Sequence, residues 1–192
     1  MAYLIAGLLL FLGVHSVRIV ADDWRSRTIA RIGASAWKGA YTVVSLLGFG
    51  LILWGFGQAR LQPVALWAPP FALRHLAMLL LLVAFVLLAA AYVPGNAIKA
   101  RLHHPMVLGV KTWALAHLLV NGNLAQVVLF GAFLVWAVLD FSAARRRDRA
   151  SAVVYAPGAV LPTVATLVIG VLAGGGFALW LHGWLIGVPV LG

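Results

Sequence analysis

The sequence predicts an all-α polytopic membrane protein, a six-transmembrane-helix bundle with both termini outside the cytoplasm. Three observations predict it. Hydrophobic residues make up 64% of the 192-residue chain and charged residues 9%, with a mean hydropathy of +1.05, whereas soluble domains are roughly half apolar and a quarter charged. The apolar residues gather into segments close to the ~20 residues that cross ~30 Å of hydrocarbon. The basic residues fall almost entirely in alternate loops. Six spans and short connections use nearly the whole length, so a single integral-membrane domain, 1–192, is expected. Soluble enzymes and secreted disulfide scaffolds are excluded. The chain has no cysteine, which removes thiol catalysis, thiolate metal sites and disulfides together.

The first apolar run lacks a basic leader and a small-x-small cleavage site, so it reads as a retained helix, 2–20. A polar stretch with Arg25, Arg27 and Arg31 follows, and then 39–59 supplies a second uncharged span. Pro63, Pro69 and Pro70 punctuate a loop before the most aliphatic span, 71–92, which Pro94-Gly95-Asn96 closes. The uncharged residues 112–139 are too many for one helix, and Asn121-Gly122-Asn123 inside them is turn chemistry. They divide into a helix at 105–120, with Pro105 as its first-turn proline, and one at 124–141. After Arg145-Arg146-Arg147-Asp148-Arg149 no charge remains. A hairpin at Gly174-Gly175-Gly176 would leave a second limb of about 12 residues, too short to cross a bilayer. One helix, 162–186, is predicted, its glycines inviting a bend or the close approach of a neighbour or a flat ligand.

Orientation follows from the positive-inside rule. Arg18, Arg25, Arg27, Arg31 and Lys38 flank the first connection, Lys99 and Arg101 the third, and Arg145, Arg146, Arg147 and Arg149 the fifth, eleven basic residues on one face. The opposite face has Arg60 and Arg74, and Lys111 lies within the fourth helix. The net charge of +10 therefore orients the chain among membrane lipids rather than binding nucleic acid.

No Asp or Glu falls inside a predicted span apart from Asp140 at the very end of the fifth, so an acid/base pair, a carboxylate proton relay and a hard-cation site are not expected there. Histidine carries what chemistry remains: His15, His75, His103, His104, His117 and His182. His104 and His117 are about 20 Å apart along one helix and cannot share an ion. His15 and His117 lie deepest, on different helices, and differ in depth by about 9 Å, an offset a tilted haem accommodates. An imidazole pair without thiolate or carboxylate suits haem iron better than a structural zinc. His75 and His104 are the alternates, and His75 and His182 form a second, outer layer with His117. A plainer reading stands beside each: an intramembrane histidine that only hydrogen-bonds across helices, interfacial roles for His103 and His104, Trp113 in core packing rather than on a cofactor, and Lys111 snorkelling inward rather than pairing with a propionate. Arg74 is a second propionate candidate. The arginine run at 145–149 is a topology signal that attracts anionic lipid.

His104-Pro105, Gly109, Lys111, the run from Trp113 through Ala114 to His117-Leu118, Asn121-Gly122, and Gly13-x-His15-Ser16 resemble the NnrU family of bacterial inner-membrane proteins over essentially the whole chain, most specifically from His104 to Gly122. The resemblance implies an inner-membrane location and a link to denitrification and nitric-oxide metabolism. The same block is similar to zeta-carotene isomerase, which implies haem b with two histidine ligands, here His117 and His15. That enzyme has a cysteine linked to alternative ligation where this chain has Ala114, so a thiolate ligand switch is not expected. The expected function is therefore a haem b protein with isomerase-like or redox chemistry on a lipophilic substrate. The alternatives are a nitric-oxide-responsive or assembly factor whose haem takes a diatomic gas, and a transporter without cofactor, which the lack of intramembrane carboxylates and of an inverted repeat disfavours.

Overall fold

The computed structural model describes residues 1–188, and helix dominates them. In chain order the helices are α1 (Ala2–Val20), α2 (Asp22–Ile32), α3 (Ala34–Ala59), α4 (Leu73–Tyr92), α5 (Ala97–Leu102), α6 (Pro105–Val120), α7 (Leu124–Ala150), α8 (Val160–Gly176) and, after a π-helical turn at Phe177–Leu181, α9 (His182–Ile186). Five spans are long and apolar enough to cross a membrane: α1, α3, α4, α7 and the continuous run Val160–Ile186. The remaining apolar helix, α6, has 16 residues, about 24 Å at ~1.5 Å per residue. Large apolar side chains such as Leu9, Leu46 and Leu172 stand exposed along these helices, as lipid contact requires. The chain is a multi-pass membrane protein.

Several helices run beyond the segments expected from hydropathy. The polar stretch before the second span is itself a helix, α2, with Asp22 and Asp23 in its first turn and Arg31 in its last, each placed to complement the helix dipole. Gly33, at φ +84°, separates it from α3, which starts at Ala34 rather than 39. The third span starts at Leu73 rather than 71 because Phe71 and Ala72 belong to a turn. α7 continues past 141 to Ala150 and carries the arginine run, since Ala and Arg are good helix formers whatever their polarity. The last span begins at Val160 and does not break at Gly174-Gly175-Gly176; the irregularity is the π turn that follows.

The chain forms two compact units, Met1–Pro69 with Asn121–Ala144, and Pro70–Val120 with Arg145–Gly192. In the first unit α1 and α3 pack antiparallel through glycine. A Cβ on Gly7 would stand 2.6 Å from the Ile52 nitrogen and one on Gly48 2.7 Å from the Phe11 nitrogen, and one on Gly55 would collide with the backbone of Leu4. These positions make one face on each helix, Leu4, Gly7, Leu8 and Phe11 against Gly48, Ile52 and Gly55, the small-residue packing by which helices in lipid bring their backbones close. The 121–123 turn docks on the connection after α3: Leu66 N–H donates to the Gly122 carbonyl at 2.8 Å and Leu124 N–H to the Val64 carbonyl at 2.8 Å. Only glycine fits at 122, because a side chain there would strike the Trp67 carbonyl.

In the second unit α4 is central. Gly109 of α6 lies against Ala84 and Leu88, and Gly170 and Gly174 of α8 lie against Val86 and Phe85. Asn96, 1% exposed, joins α4 to α5: its Nδ2 donates to the Ala90 and Val93 carbonyls and its Oδ1 accepts from Lys99 N–H at 2.7 Å. Asn96→Ala leaves these groups orphaned in a buried site and removes the N-cap, an expected loss of about 2 kcal/mol. A lower melting temperature in detergent would show it; an unchanged one would contradict the capping role.

Candidate functional site: the deep histidines

His15 lies on the packing face of α1, one turn beyond Phe11. Carrying the α1–α3 register from Phe11–Gly48 onward places it opposite the turn between Tyr41 and Ser45. Its ring stacks on Phe11 at 4.2 Å between centroids and lies 5.1 Å from Tyr41 and 6.1 Å, edge-on, from Trp136 of α7. Its Nδ1 is 2.6 Å from the Phe11 carbonyl. A carbonyl only accepts, so Nδ1 carries the proton and the lone pair of the neutral ring is on Nε2.

His117 repeats this arrangement in the second unit. Its Nδ1 donates to the Trp113 carbonyl at 3.0 Å, one turn back on α6, and the Trp113 ring is 5.2 Å away. His182 follows the π turn, an irregularity frequent at functional positions. Its Nδ1 donates to the Val188 carbonyl at 2.7 Å, its ring meets Phe177 edge-on at 5.9 Å, and it lies within electrostatic reach of His117. His75, the other member of the expected outer layer, is exposed at the start of α4. A metal-bound imidazole usually donates its other N–H to a carbonyl or carboxylate, which fixes the tautomer, and His15, His117 and His182 all do so.

The remaining candidates are more scattered. Arg74 is exposed at the start of α4, its guanidinium 4.9 Å above the Phe71 ring, and His75 beside it is exposed with an edge-on contact to the same ring. Lys111 is half-buried in α6. His104 is committed elsewhere: its Nε2 donates to Asp148 Oδ2 at 2.7 Å, and the Tyr155 hydroxyl donates to the same oxygen at 3.0 Å. His103, at the left-handed φ of +71°, stacks on Tyr155 at 4.0 Å and 10° and accepts from the Arg145 guanidinium. Burial, together with the hydrogen bond to Asp148 and its charge, pushes the Tyr155 hydroxyl above its usual range, so it remains a protonated donor at neutral pH. Asp148→Ala releases His104 and Tyr155 together. Faster proteolysis within 151–158 is the expected result, and an unaltered cleavage rate would show that the cluster does not hold that loop.

Sequence reasoning missed two groups. Asp148 and Tyr155 escape it because Asp148 belongs to an arginine run that reads as a topology signal, whereas the extension of α7 carries it to His104. Asp140, treated as lying at a helix end, is well inside α7 and within electrostatic reach of His15 and Tyr41, so a carboxylate does accompany the deep histidine of the first unit. The signal was the spacing of four between Tyr41 and Ser45 and between Trp136 and Asp140, which puts each pair on one helix face.

Among the described residues, no three or more His, Asp or Glu side chains gather as ligands for a metal ion. Haem makes a smaller demand, since the porphyrin brings its own equatorial nitrogens and needs one or two axial imidazoles. The single-histidine sites, with aromatic neighbours and Nε2 as the basic nitrogen, fit that demand.

No curated protein and no solved structure matches the chain. The family model described as NnrU protein matches residues 3–190, nearly its full length, and the chain belongs to the NnrU family.

Proposed function

We propose that this protein is a six-span bacterial inner-membrane haem b protein, both termini outside the cytoplasm, with His15 and His117 as the axial ligands. Its chemistry is isomerase-like or redox chemistry on a lipophilic substrate, linked to denitrification and nitric-oxide metabolism. One observation carries the reading: both deep imidazoles donate Nδ1–H to the carbonyl one turn back, 2.6 and 3.0 Å away, and so hold Nε2 in the tautomer that a ligand requires. When bound, the haem supplies an iron centre with one-electron chemistry and an exchangeable axial position. The chain's residues orient it. Phe11 and Trp113 fix the two rings, Trp113 also packs on the cofactor, and Lys111 and Arg74 offer cations to the propionates. The alternates His75 and His104 are less suited, His75 because it is exposed and His104 because its Nε2 is engaged by Asp148.

Haem content of the purified protein, measured as the pyridine haemochrome, tests the proposal. About one haem per chain is expected, and a haem-free protein from cells supplied with haem would refute it. Topology is tested separately. Reporter fusions after Pro63 and at the C-terminus should report outside and fusions near Arg27, Lys99 and Arg147 inside, because eleven basic residues face two. A cytoplasmic C-terminus would overturn the six-span arrangement. Uptake of nitric oxide by the reduced protein, with no turnover of any apolar substrate, would favour a nitric-oxide-responsive role over an enzymatic one.

A further inference from the structure

The environment of His15 contains more polar chemistry than ligation of one iron requires. Tyr41 and Ser45 face it from α3, and Trp136 and Asp140 from α7. One of these groups is buried with nothing to bind: among the described residues, Trp136 Nε1 has no hydrogen-bond partner, and the Ser45 hydroxyl has only the Tyr41 oxygen on its own helix. A buried orphan donor costs about 1–3 kcal/mol, and one whose ring meets the His15 imidazole edge-on, beside a hydroxyl that can redirect, points to a ligand that accepts hydrogen bonds. Phe11, Tyr41 and Trp136 supply ring surface around it, with Phe49 and Phe133 each about 6 Å from Phe11, a lining suited to offset stacking on a flat ring.

We infer that the first unit binds the head group of a quinone beside His15, its carbonyl oxygen accepting from Trp136 Nε1–H and Ser45 Oγ–H. Charge selects among the acceptors. Asp140 is within electrostatic reach of His15 and Tyr41, and Arg25 within reach of Tyr41, so the two charges offset and a neutral carbonyl suits the place better than an anion. A plain hydrocarbon leaves Trp136 Nε1 unsatisfied. The same Asp140 carboxylate can accept from the hydroxyl of a quinol, so both oxidation states are held. The isoprenoid tail leaves among the lipid-exposed leucines of α1 and α3, Leu9 and Leu46 among them. The inference narrows the lipophilic substrate of the proposed function and rests on that reading in placing the ligand at His15.

The test is binding of decylubiquinone to the full-length protein in lipid nanodiscs, with partition into empty nanodiscs subtracted, decylbenzene as the oxygen-free control, and haem content recorded on each sample. Saturable binding of the quinone and none of decylbenzene is expected. Trp136→Phe keeps the ring and removes the donor, and should weaken binding about tenfold, the scale of one hydrogen bond. Ser45→Ala, a smaller change, should weaken it several-fold, and Trp180→Phe, at an exposed position, should leave it unaltered. Partition without saturation, or equal affinity in Trp136→Phe and Ser45→Ala, would overturn the inference. Haem-loaded protein that fails to bind quinone sinks this inference alone. Haem-free protein that binds it saturably sinks the haem assignment and supports the quinone site.

Discussion

His117→Ala is expected to purify without haem, while His15→Ala retains it in an altered coordination state. Both imidazoles have the same tautomer lock, but their settings differ. His117 is in the last turn of α6, a helix packed through Gly109 against α4, with Trp113 beside it and His182 within electrostatic reach. His15 is on α1, stacked on Phe11 with the Tyr41 ring beside it. With both imidazoles on the iron, gas binding would require one of them to let go, and the proposal assigns that role to His15. Reduced His15→Ala should therefore bind carbon monoxide faster than the parent protein. His103→Ala, which removes a ring stacked on Tyr155, should leave the spectrum intact. Haem retained at full occupancy by His117→Ala, with an unchanged spectrum, would refute the assignment.

The second large effect is structural. Gly48→Leu or Gly55→Leu should abolish the monodisperse, folded form of the protein in detergent. At both positions the first carbon of a side chain already meets backbone of α1, and backbone cannot rotate aside as a side chain can. Overpacking a tight interface costs about 1–3 kcal/mol and more when the main chain must move; here α1 must separate from α3 along the face that carries His15. Gly50 and Gly57 on the same helix have open space where a Cβ would be. Gly50→Leu should be tolerated, and should gain about 1 kcal/mol of helix propensity. Equal tolerance at Gly48 and Gly50 would show that the α1–α3 contact does not support the first unit.

Where local chemistry is decisive, the helix boundaries can be read directly from residues. Pro105 opens α6, where a proline without an N–H belongs, and Asn121-Gly122-Asn123 breaks the apolar run into α6 and α7. Hydropathy measures affinity for lipid, however, and not the extent of a helix. It ends the fifth span at 141, while α7 continues through Ala143, Ala144 and the arginines, and it reads α2 as a polar stretch because the charges of that short amphipathic helix outweigh Trp24, Ile29 and Ile32. The site shows the same division. His15 and His117 stand out because a lone ionisable residue in an apolar run is conspicuous. Tyr41, Ser45 and Trp136 do not, because an aromatic or a serine in a membrane helix is ordinary until the fold brings α3 and α7 to His15. Asp148 and Tyr155 depend on the fold in the same way, since His104 and Asp148 meet from distant parts of the chain.

The central claim is that two imidazoles from this chain, His15 and His117, bind one iron. Low-temperature electron paramagnetic resonance of the ferric protein, taken before and after His15→Ala, tests it most directly. The account predicts a low-spin signal of bis-histidine haem in the parent protein, converted to high spin when His15 is removed. A signal that stays low-spin and unchanged in His15→Ala, or a parent protein with no haem iron signal at all, would contradict it.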